Sequence, residues 1–250
     1  RGLGDVYKRQ SNIFMTSPLI ADDKVFVATT DDNISMNTHL CAFDIRTGKL
    51  LWKYRTENSI KNTIAYEEGI LVAQDAACHL YAVDAATGKL LWKHEMNPHG
   101  YPYLTEGLTV SDGTVYAGIG ASLSAYNLKT GSILWINKDW RQREGSTTTL
   151  TVAGDVLVSG TQWGGLYGNN IRTGKQVWKL SNDGLGNRGA SPVYKDGKLW
   201  IISSKSLFTI APESGKATKQ KELSANLDVT STPLITDHEI IFGSADPVSY

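Results

Sequence analysis

Along the chain, β-branched and aromatic residues gather in short runs of four to seven, bounded by Gly, Asp, Asn and Thr. No stretch of ten residues holds the 3.6-residue period of an amphipathic helix. The pattern therefore predicts strands. Between residues 63 and 95 it resolves into four of them, at 63–66, 70–74, 79–83 and 89–95, each separated from the next by turn residues.

The same arrangement recurs. Anchored on a Thr-Gly pair, the chain repeats as Thr47-Gly48, Thr87-Gly88, Thr130-Gly131, Thr173-Gly174 and Ser214-Gly215, the glycines standing 40, 43, 43 and 41 residues apart. Four residues after the glycine come Trp52, Trp92, Trp135 and Trp178, with Lys219 in the fifth copy. Four residues before it come Asp44, Asp84, Asn127 and Asn170, with Ala211 in the fifth. An Asp or Asn there is placed to accept backbone N–H groups two residues on, and the glycine supplies the positive φ that the hairpin connection needs. A second set of turns joins the first strand of each unit to its second: Asp22-Asp23, Glu68-Gly69, Asp112-Gly113, Gly154-Asp155, Asp196-Gly197 and Asp237-His238.

Four strands in every 42 residues or so predict an all-β fold, a β-propeller of four-stranded antiparallel blades. Blades are expected to end near residues 55, 96, 138, 181 and 223, with a partial blade after them. The last strand of each blade is apolar on consecutive residues, as in Leu50-Leu51-Trp52, which reads as a strand buried on both faces between neighbouring blades. On that reading Gly48, Gly88, Gly131 and Gly174 with Trp52, Trp92, Trp135 and Trp178 are structural residues that dock one blade on the next.

The run LYAVDAATGKLLW, residues 80–92, resembles the repeat of the PQQ-type, quinoprotein-like β-propeller family. That superfamily includes the quinoprotein dehydrogenases and the propeller lipoprotein of the outer-membrane β-barrel assembly machinery. The resemblance covers residues 11–250 in five copies and implies a ring of seven or eight blades, of which about five and a half are expected here. Residues 1–10, RGLGDVYKRQ, differ in character; residues 5–10 resemble a translated sequencing-adaptor scar, so a native start and any leader or lipid anchor are expected to lie outside this sequence.

Charge narrows the functions. Twenty-five basic residues balance twenty-five acidic ones, which gives no field for nucleic acid or an anionic membrane. No apolar run approaches the roughly 18 residues of a spanning helix. Cys41 and Cys78 form neither a disulfide framework nor a metal spacing, and both are read as thiols in strands.

Within a blade, the first-to-second and third-to-fourth turns share one face of the ring and hardly vary among copies. The loops of the other face vary in length and content, at 29–37, 97–106, 139–146, 161–165 and 182–189, and unequal loops on one face of a repeat protein mark its binding face. The candidate ligand or partner residues there are His99, Tyr101, Tyr103, Trp140, Arg141, Arg143, Gln162, Trp163, Asn187 and Arg188. Each has a plainer reading as a cap over the core ends.

No catalytic set stands out. His39 and His79 share a repeat position whose other occupants are Ser122, Gly165 and Ser206; a metal there would need two further ligands close by, so no metal site is expected. The glycines of residues 184–189 lack the following helix that a phosphate loop requires. No cofactor is identified. In the dehydrogenases of the superfamily the resemblance implies PQQ held with calcium and, in many, a disulfide between adjacent cysteines; here there is no Cys-Cys pair, and Asp31, Asp32 and Asp75 offer calcium only a loose set. The leading expectation is a non-catalytic platform of the bacterial cell envelope, periplasmic or extracellular, binding protein or an envelope-associated ligand. A PQQ-dependent alcohol or sugar dehydrogenase fragment, and an accessory propeller fused to a hydrolase such as a phosphoesterase, stay open as alternatives.

Overall fold

The computed structural model describes residues 16–31, 37–95, 107–119, 122–138, 140, 149–160, 165–180, 191–203, 206–223 and 232–243. Strands β1 (Leu19–Ala21), β2 (Lys24–Ala28), β3 (His39–Asp44) and β4 (Leu50–Arg55) form the first sheet. The second holds β5 (Ala65–Glu67), β6 (Ile70–Gln74), β7 (His79–Asp84) and β8 (Leu90–Glu95), and the third β9 (Leu108–Ser111), β10 (Thr114–Ile119), β11 (Ser122–Asn127) and β12 (Ile133–Asn137). The fourth holds β13 (Thr151–Ala153), β14 (Val156–Gly160), β15 (Leu166–Asn170) and β16 (Gln176–Leu180). The fifth holds β17 (Val193–Lys195), β18 (Lys198–Ser203), β19 (Ser206–Ile210) and β20 (Ala217–Glu222), and β21 (Leu234–Ile235) with β22 (Ile240–Ile241) begins a sixth. Every pairing is antiparallel between sequence neighbours, and no α-helix occurs among the described residues. These are the blades of a β-propeller.

The core is not one cluster but a series of layers, each trapped between consecutive blades. Phe26, Leu40 and Ala42 of the first sheet meet Ile64, Leu71, Ala73 and Val83 of the second. Val72, Leu80 and Ala82 on the far side of that second sheet meet Leu108, Val115, Ala117 and Tyr126 of the third. Alternate residues of β6 thus serve opposite layers, and all five are buried. First strands lie innermost and touch in succession, and the hydroxyls of Thr63 and Thr149, which precede β5 and β13, lie 3.0 Å apart.

The two-residue turns between first and second strands have φ of 49° and 56° at Asp22-Asp23 and 51° and 70° at Asp112-Gly113, the mirror-image geometry that matches strand twist. Their carbonyls accept from the turns between third and fourth strands: Ile45 N–H donates to Asp23 O (3.0 Å), Ala85 to Gly69 (2.8 Å), Leu128 to Gly113 (2.9 Å) and Ile171 to Asp155 (3.0 Å). Both sets of turns therefore close one face of the ring. In the Asp44 turn the carboxylate accepts from Thr47 Oγ1 (2.7 Å), Thr47 N–H (2.8 Å) and Arg46 N–H (3.1 Å). The Thr47 hydroxyl and amide hold the Asp44 carboxyl below its usual range, and Thr87 does the same for Asp84.

At the other edge of each blade, the expectation of a last strand buried on both faces is corrected. Leu50, Leu51, Leu90, Leu91, Ile133, Leu134 and Val177 are all at least 36% exposed. Burial on both faces belongs to second strands such as β6 and β14. The consecutive apolar residues mark a β-bulge: Ala42 pairs with Trp52 and Phe43 with Leu50, leaving Leu51 as the extra residue. Leu91, Leu134 and Val177 are extra in the same way. The bulge turns the next residue, always tryptophan, toward the following blade. A small residue stands opposite it each time: Ala42, Ala82, Ala125 and Gly168. In the fifth sheet, where Lys219 replaces the tryptophan, the irregularity moves to between Leu207 and Phe208.

Each indole then meets the next blade in one way. Trp52 Nε1–H donates to Ala85 O (3.1 Å), Trp92 to Leu128 O (2.7 Å), Trp135 to Ile171 O (3.1 Å) and Trp178 to Pro212 O (2.6 Å). The ring lies on the turn glycine three residues further on, so closely that a Cβ on Gly131 would sit 2.7 Å from Trp92. The residue two places after the tryptophan adds a bond to that glycine's carbonyl in two blades, from His94 to Gly131 (2.6 Å) and from Asn137 to Gly174 (2.7 Å).

Gly48 and Gly131 share φ near +70°, but no described atom lies within 4 Å of a Cβ on Gly48. Gly48→Ala should therefore cost only the left-handed backbone penalty, about 1–2 kcal/mol. Gly131→Ala should lose about 1–3 kcal/mol more through overpacking, and denaturant unfolding in a Trp92→Ala background should show that extra loss vanish. Trp92→Ala alone should cost about 3–5 kcal/mol. Because the Asp44 and Asp84 carboxyls are depressed in the fold, the stability they contribute is full above about pH 4 and lost as pH falls through their folded values. Asp44→Asn with Asp84→Asn, which copies Asn127 and Asn170, should flatten the acid limb of a melting-temperature profile and leave the neutral limb unchanged.

Candidate functional site

The face opposite the closed turns carries the second-to-third loops and the crossovers between blades. On it, the second blade brings together charged side chains that other copies carry only in part: His39 repeats His79, Lys53 and Lys179 repeat Lys93, and Glu222 repeats Glu95. The loop between β6 and β7 turns at Asp75, whose side chain is fully buried: Oδ1 accepts from the N–H groups of Ala77 (2.9 Å) and His79 (3.0 Å), and Oδ2 from the Tyr81 hydroxyl (2.7 Å). Cys78 closes this turn with φ of 69°, so it lies outside the strands where sequence reading places it; Cys41 lies in β3, and both are buried and neither is in a disulfide.

His79 opens β7 with Nδ1 2.9 Å from Asp75 Oδ2 and Nε2 3.4 Å from Glu57 Oε2. Glu57 comes from the crossover after β4, and its amide donates to the Tyr81 hydroxyl at 3.1 Å. Glu95 ends β8 directly opposite His79 in the antiparallel register. Lys93, two residues earlier on β8, bonds Glu57 Oε1 and lies 3.1 Å from Glu95 Oε1, with its ammonium 5.7 Å from the Tyr81 ring centroid. The bond from Lys93, followed by the nearby His79, holds the Glu57 carboxyl below its usual range. Burial pushes the Tyr81 phenol far above the tyrosine range, which keeps it a neutral donor to Asp75.

The arrangement is a charged group at a blade end: the exposed Glu57 and Glu95 and the buried Asp75 around one ammonium and one imidazole. The equivalent place in the first blade has the opposite character. There His39 pairs in register with Arg55, and burial together with Lys53 lowers its pKa. One repeat position thus holds two histidines whose partners across the ladder carry opposite charges, Arg55 in one copy and Glu95 in the next.

Of the residues singled out from sequence, Trp140 is placed differently from expectation. It is 1% exposed and packs with Tyr116, Leu123, Ala125, Leu150 and Leu157 between the third and fourth blades, so it is a core residue there and not a surface contact. Its ring lies against Gly118, which has no room for a Cβ. His99, Tyr101, Tyr103, Arg141, Arg143, Gln162, Trp163, Asn187 and Arg188 lie outside the described residues, as does Asp32. No sequence motif marks Glu57, Lys93 and Glu95 as a group. The signal for them is the charge reversal from Arg55 to Glu95 at equal distance from the repeat glycine.

Asp31 and Asp75 do not fit a calcium set among the described residues. Asp31 Oδ2 accepts the Asn37 amide at 2.8 Å, and the Asp75 oxygens are committed to two amides, a phenol and an imidazole. No helix among the described residues is long and apolar enough to cross a membrane.

In sequence, the profile of the family described as outer membrane protein assembly factor BamB matches residues 6–97 and 76–246. No curated protein matches the chain. Among solved structures, BamB from Moraxella catarrhalis is similar over 92% of this chain and 66% of its own, at 21% identity and a TM-score of 0.69. The computationally designed Ika8 protein is similar over 95% and 70%, at 16% identity and 0.70. Quinohemoprotein alcohol dehydrogenase ADHIIG from Pseudomonas putida HK5 is similar over 88% of this chain but 43% of its own, at 15% identity and 0.63. A designed protein and an enzyme both share this fold, so the likeness speaks to architecture. With the repeat, the blade topology and a profile that spans nearly the whole sequence, the chain belongs to the PQQ-type β-propeller family of the outer membrane protein assembly factor BamB.

Proposed function

We propose that this propeller is a non-catalytic binding platform of the bacterial cell envelope, which presents its variable-loop face to a protein or an envelope-associated ligand. The observation that carries this reading is the asymmetry of the two faces. On the turn face, backbone amides and carbonyls close on one another, and the same Asp/Asn-Thr-Gly device recurs blade after blade. On the loop face the copies diverge, and one of them concentrates Glu57, His79, Lys93 and Glu95 within a single charged group. Repeated features serve the ring, whereas a polar combination that one copy alone completes, on a rigid support, serves recognition. The family match supports an envelope setting.

Site-specific photocrosslinking in cells making the protein tests the assignment of faces. A crosslinking residue in place of Glu57 or Glu95 should yield discrete adducts, while one in place of Lys49 or Lys89 on the turn face should yield none. Equal labelling from both faces, or none from the loop face, overturns the platform reading. The dehydrogenase alternative is tested separately by reconstitution with PQQ and calcium, and sustained dye reduction with alcohols or sugars would replace the platform by an enzyme.

A further inference from the structure

We propose that Glu57, His79 and Glu95 form a binding site for a divalent transition metal, zinc by the chemistry of its donors, and that Lys93 holds the site closed until the metal takes its place. Sequence reading left the histidine short of two further ligands. The fold supplies them from the crossover before the second blade and from the end of that blade's last strand.

The geometry carries the proposal. Three ligand atoms, one imidazole nitrogen and one oxygen from each carboxylate, lie within 4.8 Å of one another. The 3.4 Å between His79 Nε2 and Glu57 Oε2 matches the edge of about 3.3 Å in a tetrahedron with bonds of about 2.0–2.1 Å. Asp75 is the second observation. Its carboxylate is wholly buried and lies 2.9 Å from His79 Nδ1, the outer-shell arrangement that fixes a ligating imidazole and directs Nε2 outward. That pair is fixed by the fold independently of the Glu57 and Glu95 side chains, because Asp75 is itself held by Ala77, the His79 amide and Tyr81.

Lys93 supplies the third observation, since its ammonium already bridges Glu57 and Glu95 and shows where a cation is favoured. One ammonium offsets only one of the three nearby carboxylates. A dication bound to Glu57 and Glu95 would offset both, while the lysine swings clear on its flexible stem. Three protein ligands leave a fourth position toward solvent, open to water or to a donor from a bound molecule. This proposal stands independently of the platform reading.

The repeat furnishes variants that the fold already tolerates. His79→Ser copies Ser122 and Ser206, and Glu95→Arg copies Arg55, at equivalent positions of other blades. Untagged, chelator-treated protein should be titrated with zinc by calorimetry and with cobalt(II) by visible absorption. One ion should bind per chain, with weak ligand-field bands and no thiolate charge-transfer band. His79→Ser and Glu95→Arg should each weaken binding about 100-fold or more, and Asp75→Asn about 10–100-fold as an outer-shell loss. Lys93→Gln should tighten it about tenfold, one like charge having been removed. Absence of binding in both the native chain and Lys93→Gln would overturn the site. So would stoichiometric binding unchanged in His79→Ser and Glu95→Arg, or a thiolate band that places the ion at Cys41 or Cys78.

Discussion

The ring depends on one contact, an indole laid flat on a glycine of the next blade with its N–H bonded to a carbonyl three residues earlier. It solves a packing problem particular to propellers. Two twisted sheets diverge toward the rim, and a wedge-shaped gap opens between them that aliphatic residues of the inner strands do not reach. A tryptophan fills that gap and its one polar atom is satisfied by a backbone acceptor, so burial carries no unpaired donor. The glycine is required twice over, by its left-handed backbone and by the ring lying against it.

Everything nearby accommodates that ring. The bulge at Leu51, Leu91, Leu134 and Val177 turns the strand so that the next side chain points sideways, and the residue across the ladder is Ala or Gly to leave it space. The fifth blade shows the dependence in reverse. Where Lys219 stands, the bulge shifts along the strand, Phe208 packs partly buried against the core, and β20 becomes a polar, exposed strand. Bulge, small partner and tryptophan vary together because they are parts of one device.

Much of this was legible in the sequence. The Thr-Gly spacing fixes the repeat, and Asp or Asn before it states the turn chemistry in full, since the hydrogen bonds involved are local. The exposed edge was misread because two adjacent apolar residues look alike whether a strand is buried on both faces or bulged; only the ladder distinguishes them. Trp140 was read as a contact because it lies among arginines in a variable loop, yet its neighbours Tyr116, Leu150 and Leu157 come from two other strands and a blade entrance, and nothing local announces them. The charged group at His79 escaped for a like reason. Glu57 precedes it by a whole hairpin and Glu95 follows by another, so it exists only once the sheet has folded and its repeat neighbours are compared.

Each tryptophan points forward along the chain, so neighbouring blades are coupled in one direction by one side chain. Four such couplings link the first five blades in series. The joint from fifth to sixth lacks one. Among the described residues it is held by the Ser191 amide on the Thr232 hydroxyl and by an ion pair from Lys195 to Asp237, whose aspartate is exposed. Surface pairs of that kind are weak and weaken further with ionic strength. Which repeats keep the indole therefore decides whether a described joint rests on a buried aromatic ring or on a salt-sensitive surface pair.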